Sequence, residues 1–368
     1  MNTAVWPLPA IVITALLLVL NLALAATLPS AETDQPPPKA IRIGFATIGI
    51  GGVHAVGYAA IGTAQMKGLV DAEFAKDGIG ISWNFYRGAG PAVNEALANG
   101  QLDFAWQGDF PSIIGKASGL HTHIIMAQGT RGNCYLAVPT DSPAQSLEDL
   151  KGQRVALFKG TNLQLVVDKV LRAHDLSERD FQSINLDSLA GVPAISAKEI
   201  DGLWGGIELI EPQRKGLIRF VYSTNGQSPV LTRQAHLIVN EDFETRYPSL
   251  VQRLVNVLVK EADWESVDAH RAEVFQLWSR MGLPVSTWTK EFENTPLAVR
   301  ESPLLDDFFV ARYREGVASA LKFKLIRTSF DVTPWIEPNY VREAIRQEHL
   351  EGRWQEFDAL GQPLTAAK

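Results

Sequence analysis

The chain has 368 residues, of which 46% are hydrophobic and 20% charged, a balance that suits two or three folded domains and excludes a disordered or fibrous chain. A net charge of -7 gives no overall attraction to phosphate backbones, so no nucleic-acid partner is expected. The one cysteine, Cys134, excludes an internal disulfide framework and every zinc or iron–sulfur site that needs several thiolates.

Residues 10–20 are apolar almost without interruption, and Ala23-Leu24-Ala25 follows with the small-x-small pattern of a signal-peptidase site. Residues 1–25 therefore read as a signal peptide cleaved after Ala25, which sends the mature protein to the periplasm. The alternative is an uncleaved anchor on the outer face of the inner membrane. Residues 26–40, with Pro36-Pro37-Pro38, read as a stiff tether. Ile41, Ile43 and Phe45 then recur at the period of a strand, and residues 79–85 alternate without error. After Arg87-Gly88-Ala89-Gly90, Pro91 suits the first turn of a helix. Strands at 102–106 and 124–127 flank a helix that opens at Gly108-Asp109-Phe110-Pro111. Strands alternating with helices are the signature of a parallel α/β unit.

The pattern breaks near 131–133 and restarts with strands at 135–138 and 154–158. Thr161 and Gln164 next to them have the spacing of a capping box at the start of a helix. Another strand at 217–222 leads to a second break near 233. Beyond 236–240 the chain reads as helical, with Leu250, Leu254, Val257 and Leu258 on one face. The expected organisation is two α/β lobes, residues 41–132 plus 234–368 and residues 133–233, with a helical C-terminal portion counted in the first lobe.

In such folds a ligand sits outside the carboxyl ends of the strands, where helices begin with free, partly positive N–H groups. Three turns have the right character here: Gly49-Ile50-Gly51-Gly52, Gly88-Ala89-Gly90-Pro91 and Lys159-Gly160-Thr161-Asn162. Gly51, Gly52, Gly90, Thr161 and Asn162 are thus candidates for an anion cradle, with Arg131 at the first crossing as a fork-shaped charged donor. Asp109 reads either as the partner of a ligand ammonium or as a helix cap. Trp204 reads as a cleft wall or as core, and Trp83 and Trp106 as core. A dinucleotide fingerprint fails because His54 stands where the last glycine belongs. His121 and His123 lack a further ligand for a metal, and no histidine adjoins Cys134 to activate it. No cofactor and no metal are expected.

Gly88-Ala89-Gly90-Pro91, Gly100-Gln101-Leu102-Asp103-Phe104, Ser146-Leu147-Glu148-Asp149-Leu150-Lys151-Gly152, the run 155–161 and Ile200-Asp201-Gly202 follow one another in an order that resembles the sulfonate, nitrate and taurine group of ABC-transporter substrate-binding proteins. The resemblance spans 41–258. It implies a type II periplasmic binding protein fold, closure of two lobes over one small anion, and delivery to a permease driven by an ATPase, with the receptor a monomer. The long first loop containing His54 resembles the branch assigned to sulfonates or sulfate esters, while nitrate and taurine stay open. The stretch Leu203-Trp204-Gly205-Gly206 departs from the group's tryptophan-rich pattern. The competing reading is an enzyme of the same fold, a hydrolase or desulfinase acting on a sulfonate-like anion.

Overall fold

The structure, a computed structural model, describes Met1 and residues 36–49, 53–56 and 58–365. The expected signal, most of the tether, Gly51 and Gly52 lie outside the described residues. Strands β1 (Ala40–Phe45), β2 (Gly80–Phe85), β3 (Phe104–Gly108) and β4 (Thr122–Ala127) precede the first crossing. Between the crossings run β5 (Tyr135–Pro139), β6 (Arg154–Leu157), β7 (Gln182–Asn185), β8 (Gly202–Gly205) and β9 (Ile218–Ser223), and β10 (Ala235–Asn240) follows the second. They form two five-stranded sheets, ordered β2-β1-β3-β10-β4 and β7-β6-β8-β5-β9.

The alternation of strands and helices predicted parallel sheets, and half of the pairs are parallel: β1 with β2 and β3, β6 with β7 and β8. Each sheet also holds one antiparallel strand, β10 in the first and β5 in the second. These are the strands that a crossing delivers straight from the other lobe, without the helix that a parallel return requires. The two crossing segments pair with each other. The Gly132 N–H donates to the Arg233 carbonyl at 2.9 Å and the Arg233 N–H to the Gly132 carbonyl at 2.8 Å.

Strand alternation sends neighbours to opposite faces of each sheet. Phe104 and Trp106 join the core around Ile41, Ile43 and Phe45, whereas Ala105 faces Val93 and Ile113. In the second sheet Tyr135, Ala137 and Leu203 face one core, and Leu136, Val138 and Trp204 face the other. Trp204 is 2% exposed and meets Tyr222 edge-on at 5.9 Å. It is a core residue, because the register of β8 gives its side chain to the apolar layer beneath the sheet.

The helix Pro248–Glu265 lays Leu250, Leu254 and Leu258 on the first sheet's core, as its stripe requires. The helices after it correct the expected lobe boundary. Val274, Phe275, Trp278, Trp288, Phe292 and Leu297 pack into the second lobe around Tyr135 and Leu209, since their aromatic faces cover the side of that sheet carrying Tyr135 and Ala137. The helix Asp307–Lys322 then returns to the first lobe through Phe309, Tyr313 and Val317. Among the described residues no helix is long and apolar enough to cross a membrane.

Candidate functional site

A cleft of ≈ 240 Å³ lies between the lobes. The first lobe lines it with Thr47 and Gly49 after β1, Arg87 and Gly90 after β2, and Gly108 and Pro111 after β3. The second lines it with Thr161 and Asn162 after β6, Asp187 and Ser188 after β7, and Ile207 and Glu208 after β8. Every one of these segments leaves the carboxyl end of a strand, where the topology places a ligand. The lobes approach closely at Gly108, where a Cβ would stand 2.6 Å from the Cβ of Asn162, so the absence of a side chain permits that approach. Trp106, read from the sequence as core, is 6% exposed and also forms part of the cleft wall. Its Nε1–H donates to the Gln128 carbonyl at 3.2 Å, which leaves its ring edge against Tyr58 at 5.6 Å between centroids.

The helix starts differ in how they satisfy their N–H groups. The helix Ala89–Ala98, which carries Gly90, has no side-chain cap at Gly88. The helix Asn162–Ala173 has none at Thr161 either. The Thr161 hydroxyl donates backwards to the Phe158 carbonyl at 2.7 Å, and Gln164 Oε1 accepts the Gly160 N–H at 2.8 Å. The expected capping box is therefore replaced by two bonds that face away from the helix, and its first N–H groups are left for the cleft. At the third start the chain supplies its own acceptors. The Asp109 N–H donates to the Gln234 carbonyl at 3.1 Å, and the Phe110 N–H to Asp109 Oδ1 at 2.7 Å. Asp109 is 2% exposed and does not line the cleft. Burial pushes its carboxyl up to about 7, against the pull of the Lys169 ammonium.

Arg131 lies elsewhere too. At a left-handed backbone, φ 55°, its guanidinium enters a slot between the rings of Phe308 and Phe357, 4.2 Å from each centroid. The energy of that aromatic sandwich, with Asp306 as a countercharge, holds it away from the ligand space.

Besides the exposed Arg87, the cation that faces the cleft is Arg233, on the second crossing. Among the described residues it has no ion-pair partner, and its Nε–H is buried without an acceptor. Burial works against its charge, but Glu208, Tyr58 and Glu291 together keep its pKa raised. The guanidinium rests against Gly206, where a Cβ would meet Nη2 at 2.3 Å. The absence of a side chain at Gly206 thus leaves room for this arginine. Behind it a cavity of ≈ 20 Å³ is lined by Tyr58, Glu291 and Arg300. Glu291 binds Arg300 at 2.9 Å and accepts from Tyr135 Oη at 2.7 Å and the Asn133 N–H at 3.2 Å. This buried network fixes the first crossing to the C-terminal helices beside the cleft.

Cys134 is fully buried, with its thiol pushed up to about 12 by burial. Ser112 Oγ lies 2.9 Å from His236 Nε2, and the other ring nitrogen of His236 meets Tyr313 Oη. That chain of three has the order of a hydrolytic triad, yet all three are buried, none lines the cleft, and burial lowers His236 to about 3. His123 pairs with Glu244 at 2.6 Å, and Lys159 with Glu178 at 2.9 Å. The structure thus brings Gly90, Thr161 and Asn162 together at one cleft and excludes Arg131, Asp109 and Trp204 from it. Arg233, Tyr58 and Glu208 were missed by the sequence reading. Only Arg233 carried a signal, its position at the second break.

Residues 58–266 match a family model described as NMT1/THI5 like. A Bacillus subtilis (strain 168) protein named for binding aliphatic sulfonates is 26% identical over 295 residues, 78% of this chain and 85% of that protein. The crystal structure of a periplasmic sulfonate-binding protein of a sulfonate ABC transporter from Methylobacillus flagellatus KT is 28% identical, with a TM-score of 0.76 over 87% of this chain and 97% of its own. The desulfurization enzyme DSZB has a TM-score of 0.61 at 15% identity over 84% of this chain and 99% of its own, a likeness of fold alone.

Proposed function

This chain belongs to the NMT1/THI5-like family, and we propose that it is the periplasmic substrate-binding component of an ABC importer, closing its lobes on a small organosulfur anion, an alkanesulfonate or sulfate ester, and delivering it unchanged to a permease and its ATPase. The observation that carries this reading is the unpaired Arg233 guanidinium in the cleft, facing the same space as two helix starts that lack side-chain caps. A cation and convergent N–H dipoles suit a tetrahedral oxyanion head. Trp106, Leu189, Ile207 and Met281 give a carbon tail an apolar wall. A micromolar ligand needs about 8 kcal/mol, and charge-assisted bonds of roughly 1.5–3 kcal/mol each bring that within reach.

A ligand left unchanged is supported by the lining: among the described residues no cysteine or histidine lines the cleft, and a desulfinase needs an activated nucleophile there. The test is titration calorimetry of the purified protein against alkanesulfonates, sulfate and nitrate, alongside an assay for released sulfite. One sulfonate bound per chain with no sulfite is the expected result. Catalytic release of sulfite would move the protein to the enzyme class. The proposed export is checked by sequencing the mature N-terminus, expected at Ala26; a retained Met1 in the membrane fraction would indicate the anchored form.

A further inference from the structure

We infer that Glu178, which does not line the cleft, is a positioning residue for the anion turn of the second lobe, and that it acts by keeping Gln164 from capping the helix Asn162–Ala173. The inference rests on the anion reading above and adds the group that keeps this helix start open. Thr161 precedes the helix and Gln164 is its third residue, the spacing at which a glutamine reaches back to the N–H of the capping residue. In the structure that reach overshoots by one residue. Gln164 Oε1 accepts the N–H of Gly160, at 2.8 Å, and not that of Thr161.

Along the turn the N–H groups divide in two. The Lys159 N–H donates to Asn185 Oδ1 at 3.0 Å, and that of Gly160 is taken by Gln164. The next two, of Thr161 and Asn162, have no acceptor among the described residues, and both residues line the cleft. What fixes Gln164 is its other end, where Nε2 donates to Glu178 Oε1 at 2.7 Å. Glu178 is held in turn. Its Oε2 accepts the Ser183 hydroxyl at 3.1 Å and pairs with the Lys159 ammonium at 2.9 Å, and a reciprocal cap between Ser177 and Asp180 closes the short turn that carries it. Burial, and then the charge of Glu178, raise the Asp168 carboxyl one helical turn after Gln164, which favours its neutral form and leaves Glu178 the charged acceptor.

A charged acceptor makes the bond at Nε2 stronger than a neutral one. Released from it, the Gln164 side chain is free to complete the cap that its spacing calls for, and the anion would lose the Thr161 N–H. Were Glu178 only a surface partner for Lys159, its bond to Gln164 would be incidental, and removing it would leave sulfonate binding where it is.

The experiment measures propanesulfonate affinity by calorimetry on the native protein, Glu178→Gln, Glu178→Leu, and Glu178→Leu combined with Gln164→Leu. Both Glu178 variants release the Lys159 ammonium alike, and only Glu178→Gln keeps an oxygen for Gln164. Glu178→Leu is expected to bind about fivefold more weakly than Glu178→Gln, the reach of one capping bond. Adding Gln164→Leu, which removes the cap itself, should recover most of that loss. Equal affinities in Glu178→Gln and Glu178→Leu, or a double variant weaker than Glu178→Leu, would overturn the inference while leaving the sulfonate receptor intact. Failure of the native protein to bind any alkanesulfonate would sink both readings. Amide hydrogen exchange on the ligand-free native protein needs no variant. Gly160 should exchange at least about tenfold more slowly than Thr161 relative to their unfolded rates, and an unprotected Gly160 or a protected Thr161 would overturn the inference even if a variant misfolds.

Discussion

In the first lobe Arg42, on β1, grips Asp103 just before β3; in the second, Arg154, on β6, grips Asp201 just before β8. The geometry is the same in both. Each carboxylate accepts the arginine's own backbone N–H, at 2.8 and 3.0 Å, and its guanidinium through two further bonds. The sheets around these clamps have the same strand order, with β6 in the place of β1 and β5 in the place of β10. The lobes differ in what they offer the cleft. Beside the cleft each leaves a helix start without a side-chain cap, at Gly88 and at Thr161, while carboxylates take N–H groups at other turns. Glu301 takes the Ala59 N–H at 3.1 Å and Asp109 that of Phe110, while Asp187 takes that of Ala190 and Glu208 that of Gly206. A glycine-rich turn is therefore no guide to an anion site by itself; what decides is whether the chain has already supplied an acceptor. The crossings differ in the same way. Arg131 is held by two aromatic rings, and Arg233 has no ion-pair partner among the described residues.

The contrast between the crossings should give the largest effect. Arg233→Met removes the guanidinium and keeps the stem, and sulfonate affinity should fall at least about a hundredfold, two charge-assisted bonds or roughly 2.7 kcal/mol. Arg131→Met should leave affinity within about twofold and lower the unfolding free energy by about 1 kcal/mol through the lost ring contacts. If calorimetry found the two variants equally impaired, the asymmetry of the crossings would fail.

The two clamps sharpen the comparison of the sheets. The Asp103 side chain is 5% exposed and that of Asp201 32%. In urea unfolding, Asp103→Ala should cost about 2 kcal/mol, because a buried carboxylate with several donors is lost and those donors are left unpaired. Asp201→Ala should cost less than half as much, since solvent replaces its bonds. Equal costs would mean that burial is not what separates the lobes.

The smallest effect concerns the self-capped helix start. Folded, Asp109 keeps its proton up to about pH 7; unfolded, only to about 3.9. Unfolding thus releases a proton between those values, so this group's contribution makes the native state less stable as pH rises from about 4 to 7. Asp109→Asn lacks that loss. Its stability relative to the parent should climb by about 1 kcal/mol or more through this window and stay level above it, measured by urea unfolding at pH 4.5, 6 and 8. A flat difference would show that Asp109 is ionised in the fold.

Strands with one apolar face were plain in the sequence. Ile41, Ile43 and Phe45 announce β1, and the alternation through 79–85 announces β2, because strand period and burial coincide there. The two α/β lobes and the cleft segments at Gly90, Thr161 and Asn162 followed from the same pattern. Periodicity says which face is apolar without saying which lobe covers it, so the helices carrying Trp278 and Trp288 could not be assigned to the second lobe. Nor could it tell Trp204 in the core from a tryptophan on a cleft wall. Arg131 and Arg233 each sit at a break in the pattern, and what separates them is a pair of phenylalanines far along the chain, Phe308 and Phe357. The signature segments around Asp103 and Asp201 were visible as motifs, but their work as matched clamps needed the sheet register to bring each to its arginine.

The most direct test of the central claim is a crystal structure of the protein with a bound alkanesulfonate. The account predicts sulfonate oxygens within hydrogen-bond distance of the Arg233 guanidinium and of the first N–H groups of the helix Asn162–Ala173. A sulfonate seated on Arg131, or one bound in the cleft with Arg233 turned away to a protein carboxylate, would contradict it.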